Sequence, residues 1–197
     1  MILDKLIIAS NNKAKIAEIK EILKPFVKEA ASLKESGLDI EPEETGATFY
    51  ENALIKARAV YDVAKCPVIA DDSGIAVDYL NGAPGVYSAR YDAHGDDAAN
   101  NAKLLKALAG VPDSKRTARF VCSIVLYIDP KRILCAERTT EGRILHEATG
   151  SNGFGYDVVF YSFDLQKPFS MAAPAEKNSV SHRGRALRDI FEQLKKL

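Results

Sequence analysis

Residues 3–9 form an apolar run of the kind that fills a strand buried on both faces, and Ser10-Asn11-Asn12 behind it are helix-capping types. Ile16, Ile19, Leu23 and Phe26 then recur at helical spacing, with Pro25 as the limit. The chain therefore opens as strand, polar loop, helix. Residues 34–47 are acidic and punctuated by glycine and proline, which reads as loop. Thr48-Phe49-Tyr50-Glu51 has the form of a capping box. Phe49, Ala53, Ala57, Val60 and Ala64 continue it as one apolar stripe, so a second helix runs to about Lys65. Residues 67–70 read as a short strand that delivers Asp71-Asp72-Ser73-Gly74 at its end. Glycine and proline crowd 81–95 into loop, and a third helix carries Leu104, Leu105 and Leu108 to a C-cap at Gly110. Residues 117–128 and 133–140 flank an Asp129-Pro130 turn as an antiparallel hairpin. A strand at 158–160 follows, and a last helix from about Ser181 buries Leu187, Ile190, Phe191 and Leu194. Helices at both ends with strands between them predict an α/β fold with a mixed sheet.

Composition narrows this picture. A chain of 197 residues with 47% hydrophobic positions suits one domain, residues 1–197, and buries enough surface to need no disulfide or structural metal. Twenty-seven acidic residues balance 27 basic ones, which excludes disorder and argues against a nucleic-acid partner, whose binder needs a broad basic face. Cys66, Cys122 and Cys135 are odd in number and far apart, and read as reduced core residues. The opening has no signal-peptide pattern and no stretch approaches a membrane span, so the expectation is a cytoplasmic protein with no membrane partner.

Most standard chemistry motifs are absent: there is no Walker A loop, no third glycine after Gly153 and Gly155, no H-E-x-x-H and no G-x-S-x-G. Four clusters remain. Ser10-Asn11-Asn12-Lys13-Ala14-Lys15 joins strand to helix, where exposed N–H groups and two lysines attract an anion; an ordinary polar cap has the same form. Asp71-Asp72 sets two adjacent carboxylates at a strand end. A hard divalent cation would compensate them, with Glu41, Glu43 and Glu44 as partners, while a solvated turn is the plain alternative. Gly153-Phe154-Gly155-Tyr156-Asp157 offers aromatic faces for base stacking, or two core aromatics at a strand entry. Lys177 to Arg183 places His182 and Arg183 at a helix start, where positive charge needs an acceptor nearby or lies on a solvated basic face.

In this order the clusters resemble the inosine triphosphate pyrophosphatase family, the non-canonical purine NTP pyrophosphatases. The matching stretches are SNNKAKIAEIK at 10–20, EETGATFYENALIKAR, IADDSGIAVDYLNGAPGVYSARY at 69–91, GSNGFGYDVVF at 150–160 and EKNSVSHRGRAL at 176–187. The resemblance implies an elongated α/β fold of two lobes with the active site in the cleft between them, a homodimer, and Mg²⁺-dependent hydrolysis of ITP, dITP and XTP to the monophosphate and pyrophosphate. By position it implies that Ser10, Asn11, Asn12, Lys13, Ala14 and Lys15 cradle the triphosphate, joined by Lys56 on the second helix. It makes Asp72 general base and metal ligand, Glu43 or Glu44 the second metal ligand, and Ser73 a substrate contact. Phe154, Gly155, Tyr156 and Asp157 resemble the base-stacking segment, and Lys177, Ser181, His182 and Arg183 the segment that recognises the base. Ser170-Met171-Ala172 departs from the family pattern, which puts a helix before Lys177 in question.

Chemistry gives those assignments a mechanism. Water attacking the α-phosphorus expels pyrophosphate, Asp72 orients or deprotonates it, and lysines with the metal neutralise the leaving group. Hypoxanthine and xanthine carry a C6 oxygen that accepts from Arg183 or protonated His182, whereas the adenine amino group would leave such a donor unpaired. The rival readings are a pyrimidine-directed pyrophosphatase of the Maf type and a catalytically silent nucleotide-binding module.

Overall fold

A computed structural model describes residues 3–197. The expected opening is present as β1 (Leu3–Ile8) and α1 (Lys13–Leu23). Next comes a strand the sequence pattern did not reveal, β2 (Val27–Ser32). Its sequence, VKEAAS, has one β-branched residue, and it owes its form to parallel pairing with β1, Leu3 opposite Val27 through Ile8 opposite Ser32. Helix α2 (Phe49–Ala64) begins at the expected capping box: Thr48 Oγ1 accepts the Glu51 N–H and the Glu51 carboxylate accepts the Thr48 N–H. Strand β3 (Val68–Val77) is longer than expected and runs straight through Asp71-Asp72-Ser73-Gly74, so these residues lie inside a strand, not at its end.

Helix α3 (Asp97–Ala107) is capped by Leu108, with Gly110 taking its positive φ two residues later. The hairpin is β4 (Thr117–Asp129) and β5 (Arg132–Ile144), longer than predicted and closed over Pro130-Lys131. Residues 155–159 form a 3₁₀ turn, not the start of a strand, so β6 is Phe160–Ser162, followed by a two-residue β7 (Lys167–Pro168). The helix in question before Lys177 exists: α4 (Pro174–Val180) starts with proline at its first turn and Glu176 accepting the Ala173 N–H. The last helix is α5 (His182–Leu194). The strands form one sheet in the order β2-β1-β3-β4-β5-β6-β7, parallel where β1 meets β2 and β3, antiparallel where β6 meets β5 and β7. This is the mixed α/β fold that the sequence predicts.

The chain divides into two compact units. The first comprises the chain up to Asp72 with Cys122–Arg138 and Arg183–Leu197. Alternation along β1 sends Leu6 and Ile8 to a core shared with Ile19 and Leu23 of α1 and Leu187, Ile190 and Phe191 of α5. Ile7 and Ala9 go to the opposite core, with Ala53, Ala57 and Val60 of α2. The strand is thus buried on both faces, as its apolar run required. The second unit, Ser73–Val121 with Thr139–His182, has its own core of Ile75, Leu104, Phe120, Ile144, Phe160 and Phe169. All three cysteines are free; Cys122 is buried, Cys66 half-buried and Cys135 exposed, so the expectation of three core thiols is corrected to one. Among the described residues no helix is long and apolar enough to cross a membrane.

Candidate active site

In the first unit, strand geometry resolves the problem posed by two adjacent carboxylates. Neighbouring side chains on a strand point to opposite faces, so Asp71 and Asp72 separate and each meets its own cations. Asp71, fully buried, accepts from Arg183 at 3.0 Å (Nη2) and 3.2 Å (Nε), and Lys15 Nζ stands 3.2 Å from the same oxygen. Arg183 also donates to Glu18, so α1, β3 and α5 are tied by one ionic network. Burial pushes the Asp71 carboxyl up, but Lys15, Arg183 and Lys56 together outweigh it and hold the group below the usual carboxylate range. Arg183 is driven the other way: burial opposes its charge, and Asp71 foremost among its neighbours raises it above the ordinary guanidinium value. Cys122, buried beside them, has its thiol pushed up to about 12, chiefly by burial and then by Asp71.

Asp72 meets α2. Lys56 Nζ donates to Asp72 Oδ1 at 3.2 Å and to Glu44 Oε1 at 2.7 Å, so one ammonium joins the β3 carboxylate to the acidic loop. Asn52, one helical turn earlier, donates to Asp72 Oδ2 at 3.2 Å. Here burial wins: the Asp72 carboxyl is raised above its ordinary value despite Lys56 and Lys15, with Glu44 adding to the rise. Lys56 is lowered by burial but raised more by Asp72, Asp71 and Glu44, and remains firmly protonated. Of the two candidate loop ligands, Glu44 is the one that reaches this network, while Glu43 is exposed.

The Ser10–Lys15 loop takes a conventional cap. Asn12 Oδ1 accepts from Ala14 N and Lys15 N, both at 3.0 Å, and Ser10 Oγ accepts from Asn12 N at 3.2 Å. The N–H groups offered to an anion in the sequence reading are thus engaged by Asn12 itself. Asn11 and Lys13 are exposed, and Ala14 is half-buried.

The second unit holds the other two clusters. Asp157 Oδ2 accepts from Phe154 N at 2.9 Å and from the buried ammonium of Lys177, which also lies 4.7 Å above the centroid of the Phe154 ring. Gly153 is required here: its φ is +81°, and a Cβ would stand 2.1 Å from the Asp157 carboxylate. Gly155 is pinned to α3, its N–H donating to Asp97 at 2.7 Å and its carbonyl accepting from Asn101 at 2.9 Å. Tyr156 is a core residue, its hydroxyl donating to the Ser88 carbonyl at 2.8 Å, as in the alternative reading of core aromatics at a strand entry, while Phe154 is half-buried. Its neighbour Ser88 also accepts from Ile75 N at 2.9 Å, which ties that loop to β3. Ser181 and His182 are buried, His182 stacked on Phe120 with centroids 4.8 Å apart, and Ser73 is half-buried on β3.

The structure therefore assembles Lys15, Lys56, Glu44 and Asp72 in one unit, and Phe154, Asp157, Lys177, Ser181 and His182 in the other. Arg183 lies in the first unit, on the carboxylates of Asp71 and Glu18. Sequence reading missed Glu18 and Asn52; the available signal was their place one turn from Lys15 and Lys56, polar positions on helix faces that otherwise turn inward. Asp97 and Asn101 left no comparable mark.

A divalent cation implied by the resemblance can be tested against the donor set. Among the described residues no group of three or more His, Cys, Asp or Glu could hold a metal alone. Glu44 and Asp72 nonetheless supply two hard carboxylates within reach of a single ammonium, and the charged form of Asp72 is only partly compensated, since burial outweighs Lys56 and Lys15. That suits a cation of the Mg²⁺ type, which takes one or two carboxylates and completes its shell with water and phosphate.

Fold and site define the class as an α/β protein that buries acids and lysines in the combination phosphoanhydride chemistry uses. The chain belongs to the Ham1 family, whose profile matches residues 6–193. It is 48% identical over 198 residues to the dITP/XTP pyrophosphatase of Clostridium perfringens, covering 97% of each chain. The solved Ham1 protein of Staphylococcus aureus superposes with a TM-score of 0.86 at 38% identity, over 98% of this chain and 99% of that one. That of Coxiella burnetii gives 0.86 at 40%, over 99% and 100%. These matches bear out the family resemblance read from the sequence.

Proposed function

We propose that this protein hydrolyses non-canonical purine nucleoside triphosphates (ITP, dITP and XTP) to the nucleoside monophosphate and pyrophosphate, removing them from the nucleotide pool. The observation that carries the reading is Asp72: a buried carboxylate, raised in pKa, fixed between Asn52 and Lys56 with Glu44 on the same ammonium. Relatives named dITP/XTP pyrophosphatases at near half identity over nearly the full chain support it.

Asp72 receives a proton from, or orients, the water that attacks the α-phosphorus; a raised pKa brings a carboxylate closer to the pH at which a general base works best. Lys56 and Lys15 place positive charge beside it for the anionic triphosphate, and the Ser10–Lys15 loop, with Asn12 at the head of α1, receives the phosphates. Mg²⁺ held by Asp72 and Glu44 would neutralise phosphate charge. Asp71 keeps Lys15 and Arg183 in place. In the second unit the Phe154 ring offers a stacking face, set by the Asp157 bond to its N–H and by Lys177 above it. Ser181, His182 and Arg183 complete the base-recognising group, a C6 oxygen being acceptor where adenine presents a donor. Ser73 is the remaining substrate contact. The same reading makes the protein a cytoplasmic homodimer with no nucleic-acid or membrane partner.

The test is a panel of nucleoside triphosphates assayed for pyrophosphate release, with Mg²⁺ and EDTA arms. Turnover of dITP and XTP well above that of ATP and of modified pyrimidine nucleotides, lost in EDTA, is expected. Preference for the pyrimidines, or no turnover, overturns the reading.

A further inference from the structure

The buried amide that bonds Asp72 also reaches the acidic loop that carries Glu44. Asn52 is fully buried on α2. Its Oδ1 accepts the Gly46 N–H at 2.8 Å, and its Nδ2 donates to Asp72 Oδ2 at 3.2 Å. One side chain therefore holds the acidic loop, two residues from Glu44, with one end and the β3 carboxylate with the other. The loop is built to this contact. A Cβ on Gly46 would lie 2.7 Å from Asn52 Oδ1, 2.9 Å from the Asn52 backbone nitrogen and 2.6 Å from Glu51 Cβ, so only glycine lets the backbone come close enough to donate.

The residue type follows from the two bonds. An aspartate would accept from Gly46 but set a third carboxylate against Asp72 and Glu44. An apolar residue would leave a backbone donor and a carboxylate oxygen without their bonds. Only an amide of this length offers an acceptor to one side and a donor to the other. Lys56 alone does not fix the spacing, because an ammonium on a flexible stem rotates its donors freely, whereas the amide is planar and locked by both bonds.

We propose that Asn52 is a positioning residue, clamping the loop that bears Glu44 and the carboxylate of Asp72 at a fixed separation, so that water and cation meet both in register. The proposal rests on the reading of Asp72 and Glu44 given above. Asn52 acts through Asp72 and touches no reacting atom.

The experiment measures kcat and KM for dITP, with thermal unfolding, in the wild type, Asn52→Leu, Asn52→Asp, Gly46→Ala and the Gly46→Ala/Asn52→Leu double variant. Misplacing a reacting group by about 1 Å costs on the order of 10²-fold, so kcat falls about 10²-fold in each single variant while KM stays within about threefold. Because Gly46→Ala and Asn52→Leu break one clamp, the double variant is no slower than the worse single one. A structural role alone would lower the unfolding temperature without this split. Should Asn52→Leu fail to fold, Asn52→Asp and Gly46→Ala carry the test. Folded variants with kcat near the wild type, or losses that multiply in the double variant, overturn the clamp. A wild type inactive on dITP overturns instead the functional reading on which it rests.

Discussion

Asp71→Asn removes one negative charge from the middle of a buried ionic network and changes almost nothing in volume. The wild-type carboxylate accepts twice from Arg183 and faces Lys15 at 3.2 Å, all three largely out of water. An asparagine there can still offer an oxygen, but it no longer balances the charges of Arg183, which keeps Glu18, and of Lys15. Breaking a buried pair by removing one partner costs about 3–5 kcal/mol, because the remaining charge stays desolvated. At about 2–4 °C per kcal/mol for a chain of this length, the unfolding temperature falls by roughly 6–20 °C at pH 7. The pH dependence follows from the sign of the shift. Asp71 is held below its ordinary value in the folded state, so its contribution is present above the unfolded pKa, about 3.9, and is lost as the pH falls through the lower folded value. Urea unfolding followed by circular dichroism at pH 7, 5 and 3.5 checks both parts. A loss below about 1 kcal/mol at pH 7, or a difference between the two proteins that grows on acidification, would refute the reasoning.

The neighbouring substitution has the opposite signature. Asp72→Asn lowers turnover of dITP by at least about 10²-fold, the usual contribution of general-base catalysis, while nucleotide binding by calorimetry remains measurable. It leaves the unfolding temperature unchanged or higher, since burial already disfavours the charged form of Asp72. Phe154→Ala removes the stacking face in the second unit. A base–aromatic stack is worth about 1–3 kcal/mol, so dITP affinity drops about 5- to 150-fold with folding intact, which equilibrium titration reads directly. Iodoacetamide at pH 7.5 alkylates the exposed Cys135 and spares Cys122, whose buried thiol is raised to about 12; mass spectrometry finds Cys122 modified only after unfolding.

Much of the fold could be read from the chain because its strongest patterns are local. The Thr48–Glu51 box and the stripe of Ala53, Ala57 and Val60 stand as expected, and so do the four apolar positions of α5. Strand β2 could not be read: VKEAAS has neither alternation nor β-branched density, and only its pairing with β1 makes it a strand. The extent of β3 was hidden for a related reason. Two aspartates and a glycine look like a strand end until Lys15, Lys56 and Arg183 arrive from residues distant in sequence to neutralise them. The acceptors of Arg183 were equally hidden, since Asp71 and Glu18 are distant in sequence, while its chain neighbours Ser181 and His182 belong to the other unit. Asn52 sits inside the stretch EETGATFYENALIKAR, but an amide declares no chemistry until both of its partners are known.

Hydrolysis of dITP in ¹⁸O-water, with both products analysed by mass spectrometry, tests the central claim most directly. Attack guided by Asp72 on the α-phosphorus places one ¹⁸O in dIMP and none in pyrophosphate. Label in pyrophosphate, or release of orthophosphate in its place, would mean that a different phosphorus is attacked and would contradict the account.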